Sequence, residues 1–279
     1  MLSGKILAER NKGIAHFTRL SEFEFKVFSQ WGEDGIIQFL ITRLDIPNKI
    51  FIEFGVEDYS EANTRFLLMN YNWSGLVMDS SGANIDFIKN DDIYWRYGLK
   101  AVRSFITRDN INRIISEHIK EKDIGLLSVD IDGNDYWIWK AIDAVSPRIV
   151  ICEYNGIFGC ERPITVPYDE NFIRARKHRS NLYYGASLPA LCLLAESKGY
   201  IFAGCNSGGN NAFFIRKDIW TLPPVDCKKG FIMPKFRESR GRNGKLTYLD
   251  GIDRVRAIGD MEVLDIKSGK TVLIKDIIA

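Results

Sequence analysis

Cysteine is scarce in this chain. Its 279 residues include five, Cys152, Cys160, Cys192, Cys205 and Cys227, scattered and odd in number. No pair has close metal-ligand spacing, so free thiols in a reducing cytoplasm are the expectation. Long apolar runs are missing too; none approaches the ~20 residues of a membrane span. Met1–Lys12 carries charges throughout and lacks the apolar core of a signal sequence, so secretion is not expected. Charge of one sign is also missing. The 38 basic and 36 acidic residues leave a formal net charge of +2, which gives no case for a polyanion-coating protein or a nucleic-acid partner. There is no internal repeat and no low-complexity segment. What is present is 46% hydrophobic and 27% charged residues, the balance of a soluble globule able to bury a full core. The length fits one large domain, or one domain plus a small appendage.

Two periodicities alternate along the chain. Short β-rich runs cover Ile50–Phe54, Gly75–Met78, Ala101–Ile106, Ile124–Val129 and Ile149–Cys152. Helix-like stretches lie between them at Glu61–Asn70, Asn84–Lys89, Asp109–Lys120 and Asp135–Asp143. The alternation predicts right-handed βαβ units and a parallel sheet covered on both faces. A helix over Leu188–Ser197 is then followed by strands at Tyr200–Gly204 and Ala212–Arg216. The Gly/Asn-rich link between those strands is too short for a crossover helix, so they should pair antiparallel. The expected fold is therefore α/β, a seven-stranded Rossmann-like sheet with an antiparallel seventh strand.

Residues 1–45 read as a helical lead-in, with Phe23–Leu44 helical, and residues 46–222 as the α/β domain. After Pro223-Pro224 comes a charged extension, residues 223–279, with a hairpin at Glu262–Ile266 and Thr271–Lys275. It is too short for a robust core of its own. It should pack on the main domain or on another subunit, the second option making a homodimer.

Chemistry should gather at the carboxyl ends of the strands, where ligands bind open α/β sheets. The first run ends in Glu53-Phe54-Gly55-Val56-Glu57. Gly55 would let a ligand approach the backbone, and the flanking acids suit an ammonium or sulfonium better than a pyrophosphate. The alternative is a glycine serving only a tight turn. No full G-x-G-x-x-G is present. Asp79 stands 24 residues beyond Gly55, a spacing suited to accepting a ribose diol; a helix N-cap is the competing role, and Ser80 or Ser81 could fill it instead. The fourth run enters Asp130-Ile131-Asp132-Gly133-Asn134-Asp135, which fails the calcium-loop template because Ala141 occupies its twelfth position. With Glu153-Tyr154-Asn155 on the neighbouring strand, these acids could hold Mg²⁺ or orient a substrate. They could equally form a solvated turn and a helix N-cap.

Residues 156–185 form a long irregular segment, in which His178 lies among Arg174, Arg176, Lys177 and Arg179. The cations would lower the histidine's pKa and favour a neutral base, or would hold an anionic acceptor such as a sugar phosphate or nucleotide sugar. A solvated charge run is the plain alternative.

These motifs, with Ser29-Gln30-Trp31-Gly32-Glu33-Asp34-Gly35, Asn63-Thr64 and Tyr184-Gly185-Ala186-Ser187-Leu188, resemble a family of bacterial class I S-adenosylmethionine-dependent methyltransferases often found with surface-polysaccharide (capsule and O-antigen) genes. The resemblance covers roughly residues 25 to 250. It implies that the loop from Glu53 through Gly55 to Glu57 faces the methionine part of the cofactor, with Gln30 and Asn63 as further cofactor-binding residues. Asp79 and Ser80 would lie toward its ribose, Ser104 and Phe105 by the adenine, and Asp130 and Asp132 below the methyl group. A more distant likeness to metal-dependent O-methyltransferases implies Mg²⁺ on Asp132, Glu153 and Asn155. The implied reaction is methyl transfer to a hydroxyl, or an amine, of a sugar-derived small molecule, with Asp130, Asp132 and His178 as catalytic candidates. Two other readings compete. A nicotinamide-dependent sugar-nucleotide oxidoreductase or epimerase is opposed by the missing glycine fingerprint and the terminal hairpin. A scaffold without chemistry is opposed by the dense acids at three strand ends.

Overall fold

The computed structural model describes residues 1–14, 16–221 and 223–278. Seven strands build the main sheet: β1 (Ile50–Phe54), β2 (Ser74–Asp79), β3 (Leu99–Arg103), β4 (Asp123–Val129), β5 (Ser146–Glu153), β7 (Tyr200–Cys205) and β8 (Asn211–Arg216). The two-residue β6 (Ile164–Thr165) joins β9 (Glu262–Asp265) and β10 (Thr271–Leu273) in a second sheet. In the main sheet the order is β3-β2-β1-β4-β5-β8-β7. The first five strands are parallel, and β8 runs antiparallel to both β5 and β7. The expected seven-stranded sheet with its antiparallel last strand is what forms.

Alternation along each strand divides the core into two layers. Ile52, Leu76, Leu127, Val150 and Phe214 face one side, packed by helices Ile111–His118, Asp135–Ala141 and Leu188–Ser197. Phe51, Val77, Leu126, Ile151 and Phe213 face the other, packed by helices Glu33–Arg43, Arg65–Tyr71 and Gly82–Asn90. Burial on both sides explains why these strands read as near-continuous apolar runs.

The amino-terminal end differs from expectation. Between helix Leu2–Lys12 and helix Glu33–Arg43 lies a 3-10 turn at Leu20–Phe23, and Ser29–Gly32 precede the second helix rather than lie within one. The reason is capping. Asp34 accepts from the amides of Val27, Phe28 and Ser29, which folds that stretch back over the helix start. Glu33 accepts from the amides of Trp31 and Gly32, and also from the side chains of Asn206 and Asn211. The motif thereby fastens the lead-in to the β7–β8 turn.

The C-terminal extension packs on its own chain. β9 pairs with β6 and β10, and Val255, Ile258, Val263 and Ile274 share a buried cluster with Ile157, Phe158, Val166 and Tyr184. The long 156–185 segment and the extension thus form one body of core. Among the described residues, no helix is long and apolar enough to cross a membrane.

Candidate active site

Gly55 follows β1 with φ +67, and a Cβ there would sit 1.9 Å from the carbonyl oxygen of Asp130. Both a left-handed backbone and a close crossing demand glycine at this position. The space freed by its missing side chain is filled by the β4 end, so the crossing itself gives the glycine its reason. Glu57 and Asp132, on the loops either side, also hold positive φ, at 47° and 56°. Such backbone concentrates at functional sites because it must be held by its surroundings.

The Asp79 carboxylate does part of that holding. It accepts from the Glu57 amide at 3.0 Å, the Ser81 amide at 2.7 Å and the Asn84 side chain at 3.1 Å. It does not cap the next helix; Ser81 does, accepting from the Asn84 amide. A carboxylate offers about four acceptor positions, so capacity remains on the cavity side. Gly55, Glu57, Asp79, Ser80, Ser104, Phe105, Asp130 and Asp132 line a single cavity of about 260 Å³. Phe105 is 44% exposed although it forms part of that wall.

Three expected cofactor contacts do not reach this cavity. Glu53 is buried, and its oxygens accept from the Asn63 amide and from the amide and hydroxyl of Thr64. Its work is to tie the loop after β1 back to the sheet, and burial pushes its carboxyl up to about 7. Asn63 donates its side chain to Ser128 Oγ at 3.1 Å. Gln30 lies on the exposed lead-in, where its Oε1 meets the Asn210 side chain at 3.4 Å.

Deeper in, Asp130, Asp135 and Glu153 bring carboxylate oxygens within 4.8 Å of one another. Burial is the main cause that raises all three acids, and mutual repulsion adds to it. Asp135 is raised to about 6; its oxygens accept the Ile131 and Gly133 amides. Glu153 Oε2 is buried with no hydrogen-bond partner among the described residues.

The expected Mg²⁺ set is not assembled. Asn155 donates to the carbonyls of Leu182 and Tyr184 and accepts from the Ile157 amide, so it holds the 156–185 segment. Asp132 is ion-paired with Arg174. The residues therefore do not fit that metal site, and positive charge reaches the acids from a guanidinium instead.

Arg174 is the cation that enters. It donates to Asp132 and to the Asn181 carbonyl, and lies 3.8 Å over the ring of Tyr184. Tyr184 is buried, and the nearby Glu153 charge adds to burial in pushing its hydroxyl above the usual range. Sequence reasoning missed Tyr184 as a site residue, because only the fold of the 156–185 segment brings it to the acids. His178 does not reach the cavity wall. It follows the short helix Arg174–Lys177, and its Nδ1 meets Ser180 Oγ at 2.7 Å. Burial and the neighbouring Arg179 lower its pKa, as the cationic surroundings suggested, but in the wrong place for the cavity.

A second, more open cleft of about 400 Å³ adjoins the first and shares Ser80, Phe105, Ile131, Asp132 and Phe172 with it. Arg174, Asn181 and Glu238 complete its polar wall. The arrangement offers one cavity at the strand ends, one adjoining cleft, and buried carboxyls with raised pKa beside both.

No family profile matches the chain, and no curated protein matches its sequence. Solved structures are similar to it at low identity. The N-terminal domain of EvdMO1 with SAH bound is 9% identical, with 76% of this chain and 94% of that chain covered and a TM-score of 0.41. The O-methyltransferase from Bacillus cereus in complex with SAH is 12% identical, with 77% and 90% covered and a TM-score of 0.38. An S-adenosylmethionine-dependent methyltransferase from Clostridium acetobutylicum is 10% identical, with 77% and 99% covered and a TM-score of 0.39.

Proposed function

We propose that the chain is an S-adenosylmethionine-dependent methyltransferase that modifies a hydroxyl of a small, sugar-like acceptor, such as a surface-polysaccharide precursor. One observation carries the reading: four adjacent strand ends converge on one cavity with the polar sequence such a cofactor needs. β1 contributes Gly55 and Glu57, β2 Asp79, β3 Ser104 and Phe105, and β4 Asp130. The residues fit the group. Asp79 keeps acceptor positions for a ribose diol, the exposed Phe105 ring suits a flat base, and Glu57 and Asp130 suit a cationic amino acid end. No glycine-rich phosphate cradle is needed, and none is present.

When bound, the cofactor supplies an electrophilic methyl group. The protein's task is alignment and proton removal. Burial and mutual repulsion raise both Asp130 and Glu153, which makes each a stronger base once ionised. Glu153 stands beside Asp130 and off the cavity wall, its Oε2 without a partner among the described residues, so its proton traffic would pass by way of Asp130. Arg174 keeps the pair ionisable by placing positive charge beside it.

The adjoining cleft favours a neutral polyhydroxyl acceptor over the anionic one suggested by the basic run. Arg174 is already neutralised by Asp132, Lys177 pairs with Asp169, and Glu238 on the same wall pairs with Arg240. Acids, an amide and the rings of Phe105 and Phe172 together suit hydroxyls and the apolar faces of a sugar.

Calorimetric titration with S-adenosylhomocysteine and with NAD tests the reading. Saturable binding of the first and none of the second is expected. NAD binding, or neither ligand binding to folded protein, would overturn it.

A further inference from the structure

Cysteines that are scattered in sequence come together in space. Cys160 follows the turn Gly156–Phe158, Cys192 lies on helix Leu188–Ser197, and Cys227 begins helix Cys227–Gly230. All three line one surface cavity of about 280 Å³, away from the strand-end site. The helices that carry Cys192 and Cys227 pack against each other, and both thiols belong to the wall of the same cavity. Cys152 and Cys205 are buried and do not line this cavity.

We propose that Cys192 and Cys227 form a thiol–disulfide exchange site for small-molecule disulfides, with Cys227 as the attacking thiol and Cys192 as the resolving one.

The surroundings assign the order. The neighbouring Cys192 thiol holds the Cys227 thiol below its ordinary range against the effect of burial, and Lys228 adds a smaller pull in the same direction. Glu161, Glu196 and Asp226 also line the cavity, with Lys267; Lys228 is ion-paired with Glu161, and Asp226 offsets the lysine's effect on Cys227. Cys192 is pushed up, first by the proton it shares with Cys227 and then by burial. Cys160 is pushed up by burial and by Glu161, toward which its thiol points at 3.8 Å.

The chemistry balances with the disulfide as oxidant. The Cys227 thiolate attacks one sulfur of RSSR, forming Cys227–S–SR and releasing RS⁻. The Cys192 sulfur then gives up its proton and attacks Cys227 Sγ, releasing the second thiol. Two protein S–H groups become one S–S bond, and one RSSR becomes two RSH.

Cys227 sits at the root of a strap that crosses the strand ends. The Ile232 carbonyl accepts from the Tyr154 hydroxyl at 2.6 Å, and Phe236 stacks on Trp31 at 6.1 Å. Farther on, Glu238 lines the open cleft. The Cys192–Cys227 bond would fix the root of this strap to the helix beneath it.

The test is incubation of the full chain with oxidised glutathione, followed by thiol counting and peptide mapping by mass spectrometry. The expected product carries an intrachain Cys192–Cys227 link, no retained glutathione, and reverts with a dithiol reductant. Cys192→Ser should instead retain glutathione on Cys227, and Cys227→Ser should slow all reaction in the cavity by about tenfold or more. Cys160→Ser should react as the unaltered chain does. A stable mixed disulfide on Cys227 of the unaltered chain, a Cys160–Cys227 link, or no loss of thiols would each overturn the proposal. Mapping on the unaltered chain decides the matter even if a variant fails to fold.

Discussion

Arg174 and Asp132, 42 positions apart in the chain, form an ion pair at the seam where the cavity and the open cleft meet. The pair joins the β4 loop to the 156–185 segment. It also brings the guanidinium near Glu153, within a group of acids that would otherwise repel one another. Several outcomes depend on it.

Arg174→Met should remove the cation while keeping much of its packing on Tyr184. Asp130 and Glu153 should then hold protons to still higher pH. Turnover near neutrality should fall on the order of 10²-fold, with the activating limb of the pH–rate profile displaced upward. A profile that keeps its position would show that the guanidinium does not govern these acids.

Asp130→Asn and Glu153→Gln should reduce turnover by roughly 10²-fold or more, yet raise stability by about 1 kcal/mol each, because each removes a buried like charge. Thermal melts and single-turnover rates on the same samples check both halves. Lower stability with unchanged turnover would assign these residues to structure alone.

Asp79→Asn should weaken S-adenosylhomocysteine binding at least about tenfold, the equivalent of 1.4 kcal/mol. The amide group cannot accept from both the Glu57 and Ser81 sides and still receive a diol. Calorimetry that returns the unaltered affinity for the folded variant would remove Asp79 from the ribose role.

His178→Ala should leave turnover within about threefold, well short of the loss expected for a general base. Its ring is engaged with Ser180 and lies off the cavity wall. A 10²-fold loss of turnover in steady-state assays would return it to the site.

Stability should fall as pH rises from about 5.5 to 8. Burial raises the Glu53 carboxyl from 4.5 to about 7 and the Asp135 carboxyl from 3.8 to about 6. In this window the folded chain binds protons that the unfolded chain releases, so the contribution is full below the unfolded values and lost through the folded ones. The melting temperature should be higher at the acid end by about 5 °C. Scanning calorimetry showing the opposite slope would contradict the buried, raised acids.

The sheet was legible because its signal is local. Five apolar runs, a helix and a Gly/Asn link identify strands without knowledge of their partners, and only edges moved, as where β3 ends at Arg103 and Ser104–Ile106 turn into the cavity wall. Site residues were legible where they sit immediately after a strand, as Asp79 and Asp130 do. Legibility failed where a side chain's partner comes from a distant loop. Nothing near Asn155 announces that the Leu182 and Tyr184 carbonyls will occupy its amide. Nothing in the basic run tells Arg174, which reaches the acids, from His178, which does not. Glu53 looked like a ligand group because its position at a strand end is right; its neighbours Asn63 and Thr64 take up its oxygens.

The pairing of β6 with β9 has a consequence for how the protein is made. A ribosome releases the chain at about 5–20 residues per second, so the N-terminal strands emerge well before the final hairpin. The edge formed by β1, β2, β3 and β4 can be complete before β9 has emerged. Ile164 and Thr165 must wait for Asp265 and Leu264 before their short strand has a neighbour. The nascent protein can therefore hold its strand-end residues in place before the 156–185 segment, with Phe172 and Arg174, has the β9 partner that completes its packing.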